Sequence, residues 1–95
     1  MTKIKLNNDE FQITAFTRTT YFRDDGVSSF ANFDAVNLDL DQISILAQNP
    51  VTALQIYHNN ELIYDLQNIS VHIDNVNDSL EDEVISTKVN LTFDI

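Results

Sequence analysis

The stretch "TALQIYHNNELIYDL", residues 52 to 66, alternates apolar and polar side chains with a period of two on both sides of an Asn-Asn pair. Leu54 and Ile56 precede His58-Asn59-Asn60-Glu61, and Leu62, Tyr64 and Leu66 follow. In a strand, successive side chains point to opposite faces, so this pattern describes two half-buried strands. Asparagine tolerates positive φ, which lets the pair between them close a hairpin. The same grammar recurs in "KIKLNNDEFQIT", where Ile4 and Leu6 come before Asn7-Asn8 and Phe11 and Ile13 after. That second arm is expected to continue through "AFTRTTYF", with Thr17, Thr19 and Tyr21 on one face and Arg18, Thr20 and Phe22 on the other.

Period two governs most of the remaining chain. "AVNLDLD" reads as a strand with Val36, Leu38 and Leu40 opposite Asn37, Asp39 and Asp41. "NISVHIDNV" and "VISTKVNLTFDI" read as a last pair. Ile69, Val71 and Ile73 face inward from its first strand, and Ile85, Val89, Leu91, Phe93 and Ile95 from its second. "RDDGVSSFANF" is expected as an irregular loop around Gly26, pinned by Phe30 and Phe33. The one helical candidate is "DQISILAQNP", near 41–48. There Asp41 can accept a backbone N–H, Ile43, Leu46 and Ala47 share a face, and Pro50 ends the run. The expected architecture is mainly β: about seven strands in a β-sandwich or a strongly bent antiparallel sheet, with that one short helix. Ninety-five residues with 43% hydrophobic content form one domain, 1–95.

The chemistry such a chain can perform is narrow. It has no cysteine, which removes disulfides and thiolate metal sites. Gly26 is the only glycine, so no nucleophile elbow, phosphate loop or dinucleotide fingerprint can be built. His72 and Asp74 sit two apart on one strand face, a spacing two metal ligands can use, but no third ligand accompanies them. "DNVNDSLEDE" offers oxygen donors for calcium, yet Val76 stands where a ligand is needed and no glycine turns the chain. Glu61 and Asp65 are a carboxylate pair, but a chain this small without tryptophan has little material for a sugar cleft. The expectation is a non-enzyme with no catalytic residue, no bound metal and no cofactor.

Charge supplies the positive clue. The net charge is −10, and of the cations only Lys88 lies beyond Arg23. Such a field repels nucleic-acid and membrane phosphates and attracts basic protein surfaces. No apolar run approaches the ~18 residues of a membrane span, and the N-terminus reaches Asp9 and Glu10 before any signal-type apolar segment forms. A location in the cytoplasm of a bacterial host cell is the matching expectation.

Asp78, Glu81, Asp82 and Glu83 crowd into "NVNDSLEDEV", residues 75 to 84, between the last two strands. One reading is a solvated hairpin connection, kept soluble by its charges. The other joins this run to Asp24, Asp25, Asp34, Asp39, Asp41 and Asp74 as a negative surface for a basic partner, since arginine and lysine arrays built for phosphate also accept carboxylates. Tyr57 and Tyr64, with Tyr21, would add contact area and hydrogen bonds to that interface.

In its small size, its acidity and its "NDSLEDE" run, the chain resembles phage-encoded accessory proteins of the anti-CRISPR type. The resemblance implies an inhibitor that occupies a basic, nucleic-acid-handling surface of a CRISPR effector nuclease and blocks nucleic-acid binding or activation. The alternating strands of "LQIYHNNELIYDLQNISVHI" look equally like small phage head or tail components, which act by protein–protein assembly. Self-association belongs to that second reading, with the more basic N-terminal segment of one copy meeting the acidic region of another.

Overall fold

The alternation does become antiparallel sheet, and the sheet bends until it closes. A computed structural model describes residues 1–94, and Ile95, expected to face inward, lies outside the described residues. Six strands, β1 (Thr2–Leu6), β2 (Asp9–Arg23), β3 (Gly26–Ala35), β4 (Val51–His58), β5 (Glu61–Glu81) and β6 (Val84–Phe93), form a barrel in the order β1-β2-β3-β6-β5-β4. The helix α1 (Leu40–Leu46) lies between β3 and β4. The molecule measures 43 × 29 × 24 Å.

Closure depends on two long strands that change partners midway. β2 pairs with β1 as far as Ile13 and with β3 from there to Arg23, with a bulge between Ile13 and Ala15. β5 pairs with β4 as far as Val71 and with β6 from there to Glu81, with a bulge between Ile73 and Asn75. A bulge bends its strand and increases the local twist, which is how one flat ribbon turns a barrel corner.

This arrangement corrects the expected strand count from about seven to six. The two segments on either side of Asn68 are one strand, because Asn68 absorbs the irregularity at φ 56° without ending it. "GVSSFANFDA" is strand β3 and not a loop, since Asp24 and Asp25 alone make the turn from Arg23 to Gly26. "VNLD" at 36–39 is not a strand but the lead into the helix. There Asp39, not Asp41, is the N-cap: its carboxylate accepts from the backbone N–H of Asp41 at 3.0 Å and of Gln42 at 3.4 Å. Ile43 and Leu46 are buried as expected, whereas Ala47 is the exposed C-cap.

The barrel has an internal two-fold relationship that the sequence hides. The meander β1-β2-β3 is matched by β4-β5-β6, with Asn7-Asn8 answering Asn59-Asn60 and Asp24-Asp25 answering Asp82-Glu83. The seams between the halves obey the same symmetry. Leu6 pairs with Leu54 as Thr2 does with His58, and Phe30 pairs with Thr92 as Asp34 does with Lys88. Between the matched turns only the pattern of inward apolar residues is shared, so no repeat is legible in the chain.

The inward row of each strand fills the interior: Ile4, Leu6, Phe11, Ile13, Phe33, Leu54, Val71, Val89 and Leu91 are all buried. Phe33 is fully enclosed and lies 6.3 Å from Phe11, while Phe30 points outward and is 46% exposed. Ile43 and Leu46 of α1 join the same core. Five asparagines, Asn7, Asn37, Asn59, Asn60 and Asn68, hold positive φ. In a chain with one glycine, asparagine is the side chain best able to occupy that left-handed region, because its short amide can hydrogen-bond locally. Asn7 in addition ties its turn to the start of β4, its amide oxygen accepting from the backbone N–H of Thr52 and Ala53.

Candidate protein-binding surface

Two hairpin arms extend past the closed part of the barrel. β6 pairs with β3 only between Thr87 and Thr92, so Val84–Ser86 and their partners Ser79–Glu81 run on as a two-stranded arm. Gly26–Ser29 and Thr20–Arg23 do the same beyond the other end of the β3–β6 seam. Because β3 and β6 are antiparallel, the two arms project from opposite ends of the molecule's long axis.

The β5–β6 arm carries the acidic run. Asp78 through Glu81 lie in β5, so only Asp82 and Glu83 form the connection, both with positive φ, at 50° and 63°. Two central residues of this kind make a type I′ turn, whose twist matches the flanking strands. The charges therefore stand on ordered backbone instead of in an irregular loop. Asp78 accepts a 2.8 Å hydrogen bond from the Thr87 hydroxyl across the arm. Ile85, expected in the core, is 71% exposed, as is its cross-strand partner Leu80, and Val84, on the other face of the arm opposite Glu81, is 63% exposed. The reason is geometric: both lie on the inward-facing rows, but past the end of β3 there is no opposite wall to cover them.

The β2–β3 arm repeats the plan. Phe22 pairs with Val27, 81% and 46% exposed, behind the turn Asp24-Asp25. Tyr21 meets Phe30 edge-on at 6.0 Å on its outer face, and the Arg23 guanidinium lies 5.7 Å from the Tyr21 ring.

The structure divides the sequence-predicted partner residues into two groups. Glu81, Asp82 and Glu83 share the β5–β6 arm, Asp78 lies at its base opposite Thr87, and Asp74 precedes them at the bulge of β5, accepting from the Asn75 amide at 2.9 Å. Asp39 and Asp41 begin the helix at this same end, where Val36, Asn37 and Leu38 line a cleft with Val84–Thr87. Asp24 and Asp25 lie at the far end, on the other arm. Tyr57 and Tyr64 also belong to that far half: the Tyr57 hydroxyl donates to the side-chain oxygen of Gln55, and Tyr64 packs on Phe16 at 5.6 Å. Asp34 is engaged with Lys88 at 3.8 Å.

A feature without a sequence signature sits at the far end. Arg18 occupies an inward position of β2, and its guanidinium lies 4.5 Å from the Phe93 ring centroid. It donates to the Tyr64 hydroxyl at 3.3 Å and the Ser29 hydroxyl at 3.4 Å, while Thr20 lies 3.0 Å from Ser29. Arg18, Thr20 and Ser29, with Val27, Ile69 and Phe93, line a cleft of about 460 Å³. Among the described residues, no carboxylate lies within ion-pair distance of Arg18. The alternation of "AFTRTTYF" sets Arg18 on the face opposite Thr17, Thr19 and Tyr21 but does not say which face is inward.

His72 lies 3.8 Å from Asp94, and among the described residues no three histidine, aspartate or glutamate side chains gather as metal ligands. No helix among the described residues is long and apolar enough to cross a membrane. No family model, curated protein or solved structure matches this chain.

Proposed function

We propose that the chain is a non-enzymatic protein-binding module that presents its β5–β6 arm to a basic surface of a nucleic-acid-handling protein. In its specific form the partner is a CRISPR effector nuclease, and the arm denies nucleic acid that surface. The observation that carries the reading is the composition of the arm: Glu81, Asp82 and Glu83 surround the exposed Leu80, Val84 and Ile85 on a two-stranded, turn-locked projection. The carboxylates steer encounter with a cationic patch. The apolar residues supply the affinity that exposed charge pairs do not, since such pairs are worth only ~0–1 kcal/mol each.

Capture from a lysate of the host, followed by binding of the captured protein at two salt concentrations, tests this. A basic nucleic-acid-handling partner that competes with nucleic acid and binds more weakly at high salt supports it. Capture of a partner without a cationic surface would defeat it.

A second reading, a phage head or tail component acting by assembly, is favoured by a different observation. Past Ile13, the side of β2 that faces β1 has no strand partner, nor has the β4-facing side of β5 past Val71. Unpaired strand edges are where further chains add.

A further inference from the structure

We infer that the Arg18 cleft receives the acidic β5–β6 tip of a second copy, so that this chain associates head to tail. The inference rests on the assembly reading and names its partner. Both halves of the contact are present on one molecule, at opposite ends, where they cannot meet within it.

Arg18 carries a charge without a counter-charge among the described residues. Of the Lys and Arg side chains, Lys3 lies 3.9 Å from Glu10 and Lys88 lies 3.8 Å from Asp34, while Lys5, Arg18 and Arg23 form no ion pair among the described residues. Arg18 has only neutral neighbours among the described residues: a ring face and two hydroxyls. Asp94, on the rim of the cleft, lies 3.8 Å from the His72 ring and not within ion-pair distance of Arg18. The contacts to Phe93, Tyr64 and Ser29 hold the guanidinium in place, so a carboxylate arriving there meets a fork that is already oriented. At the opposite end Glu81, Asp82 and Glu83 form no ion pair among the described residues.

Apolar surface agrees with charge. The cleft walls are Val27, Ile69 and Phe93, with Phe22 exposed beside Val27 on the same face of the arm. The tip brings Leu80 and Ile85, paired on one face and each 71% exposed. A contact that places these against the cleft buries apolar area on both sides and leaves the tip carboxylates directed at Arg18. Because donor and acceptor surfaces are different patches at opposite ends, the association is heterologous and yields a ring or an open chain.

The net charge of −10 sets the salt response. Whole copies repel one another over distances comparable with the Debye length, ~30 Å at 0.01 M and ~8 Å at 0.15 M, whereas a buried pair is screened much less. Self-association therefore strengthens as salt rises from low to physiological concentration. Capture of a basic partner by the same tip weakens over that range, so the two activities separate in one titration.

The test is sedimentation of the purified chain over a concentration series at both salt levels, with two variants. Arg18→Glu places like charge in the cleft, and Glu81→Arg places like charge on the tip. Each variant alone should associate at least about thirtyfold more weakly, the scale of losing one partner of an interfacial charge pair. Mixed in equal amounts they should associate again, because each offers the complement the other lacks. If Arg18→Glu fails to fold, Val27→Glu puts the same charge on the cleft wall at a position 46% exposed. A wild-type chain that stays monomeric at every concentration overturns the inference while leaving capture of a basic partner intact. So does an oligomer that Glu81→Arg leaves unchanged, or a mixture that does not recover.

Discussion

Leu80 and Ile85 face each other across the β5–β6 arm, each 71% exposed, in the positions that Phe22 and Val27 hold on the β2–β3 arm. An apolar pair left in solvent at the end of each projection is costly to retain unless something covers it. Replacing both Leu80 and Ile85 by serine should change thermal stability little, within ~0.5 kcal/mol per exposed site. Binding to any partner of this arm should fall at least tenfold, measured by calorimetry with the captured protein. Unchanged affinity would remove the arm's apolar residues from the interface.

The helix gives a separate test of local structure. Asp39→Ala removes the cap of α1 and should cost about 1 kcal/mol, within a range of 0.5–2. In a domain of this size that is a fall of ~4–8 °C in Tm per kcal/mol. Asp41→Ala leaves the cap in place, losing only a favourable charge in the first turn, and should cost less. Equal effects would mean that the cap is not made by Asp39.

Both phenylalanines of β3 looked alike in the sequence, and only the strand separates them. Phe33→Ala opens a cavity at a fully buried site and should cost ~3–5 kcal/mol. Phe30→Ala trims an outward ring that contacts Tyr21 and should cost far less. Chemical denaturation of the two variants measures the difference, and comparable losses would place Phe30 in the core.

Why some of this was legible follows from where the determinants lie. The hairpins at Asn7-Asn8 and Asn59-Asn60 are local: alternation on both sides of a turn-forming pair settles them within a few residues. Strand β3 reads as a loop because Asp24, Asp25 and Gly26 are turn formers, while its ten residues are paired along their length by the neighbouring β2 and, from Phe30 to Ala35, by β6, which is distant in sequence. Ile85 was placed inward because alternation reports which face a side chain takes, and not whether another strand stands opposite. The same limit hid the division of the acids. Asp24 and Glu81 are both exposed and charged, and only the antiparallel β3–β6 seam sends them to opposite ends.

The acidic turn itself offers a stability test. Glu83 holds φ 63°, a left-handed conformation that costs a side chain with a Cβ roughly 1–2 kcal/mol. Glu83→Gly relieves this, and the more flexible unfolded chain offsets part of the gain. The expected result is a small rise in Tm, and a fall would show that the Glu83 side chain makes a stabilising contact.

Charge on that turn can be removed without changing its shape. In the triple variant Glu81→Gln, Asp82→Asn and Glu83→Gln, each side chain keeps its size and its capacity to accept hydrogen bonds. Asparagine suits the positive φ at Asp82, and the loss of three neighbouring like charges relieves repulsion, so Tm should hold or rise slightly. A solvated turn with no partner would show nothing further. A docking arm should lose association rate and part of its salt dependence with a basic partner, because charges at the rim of an interface act mainly through steering. Stopped-flow association at low and physiological salt reads both quantities. If rate and salt slope match the wild type, these carboxylates take no part in binding, and Asp39, Asp41, Asp74 and Asp78 are the sequence-predicted partner residues left at that end of the barrel.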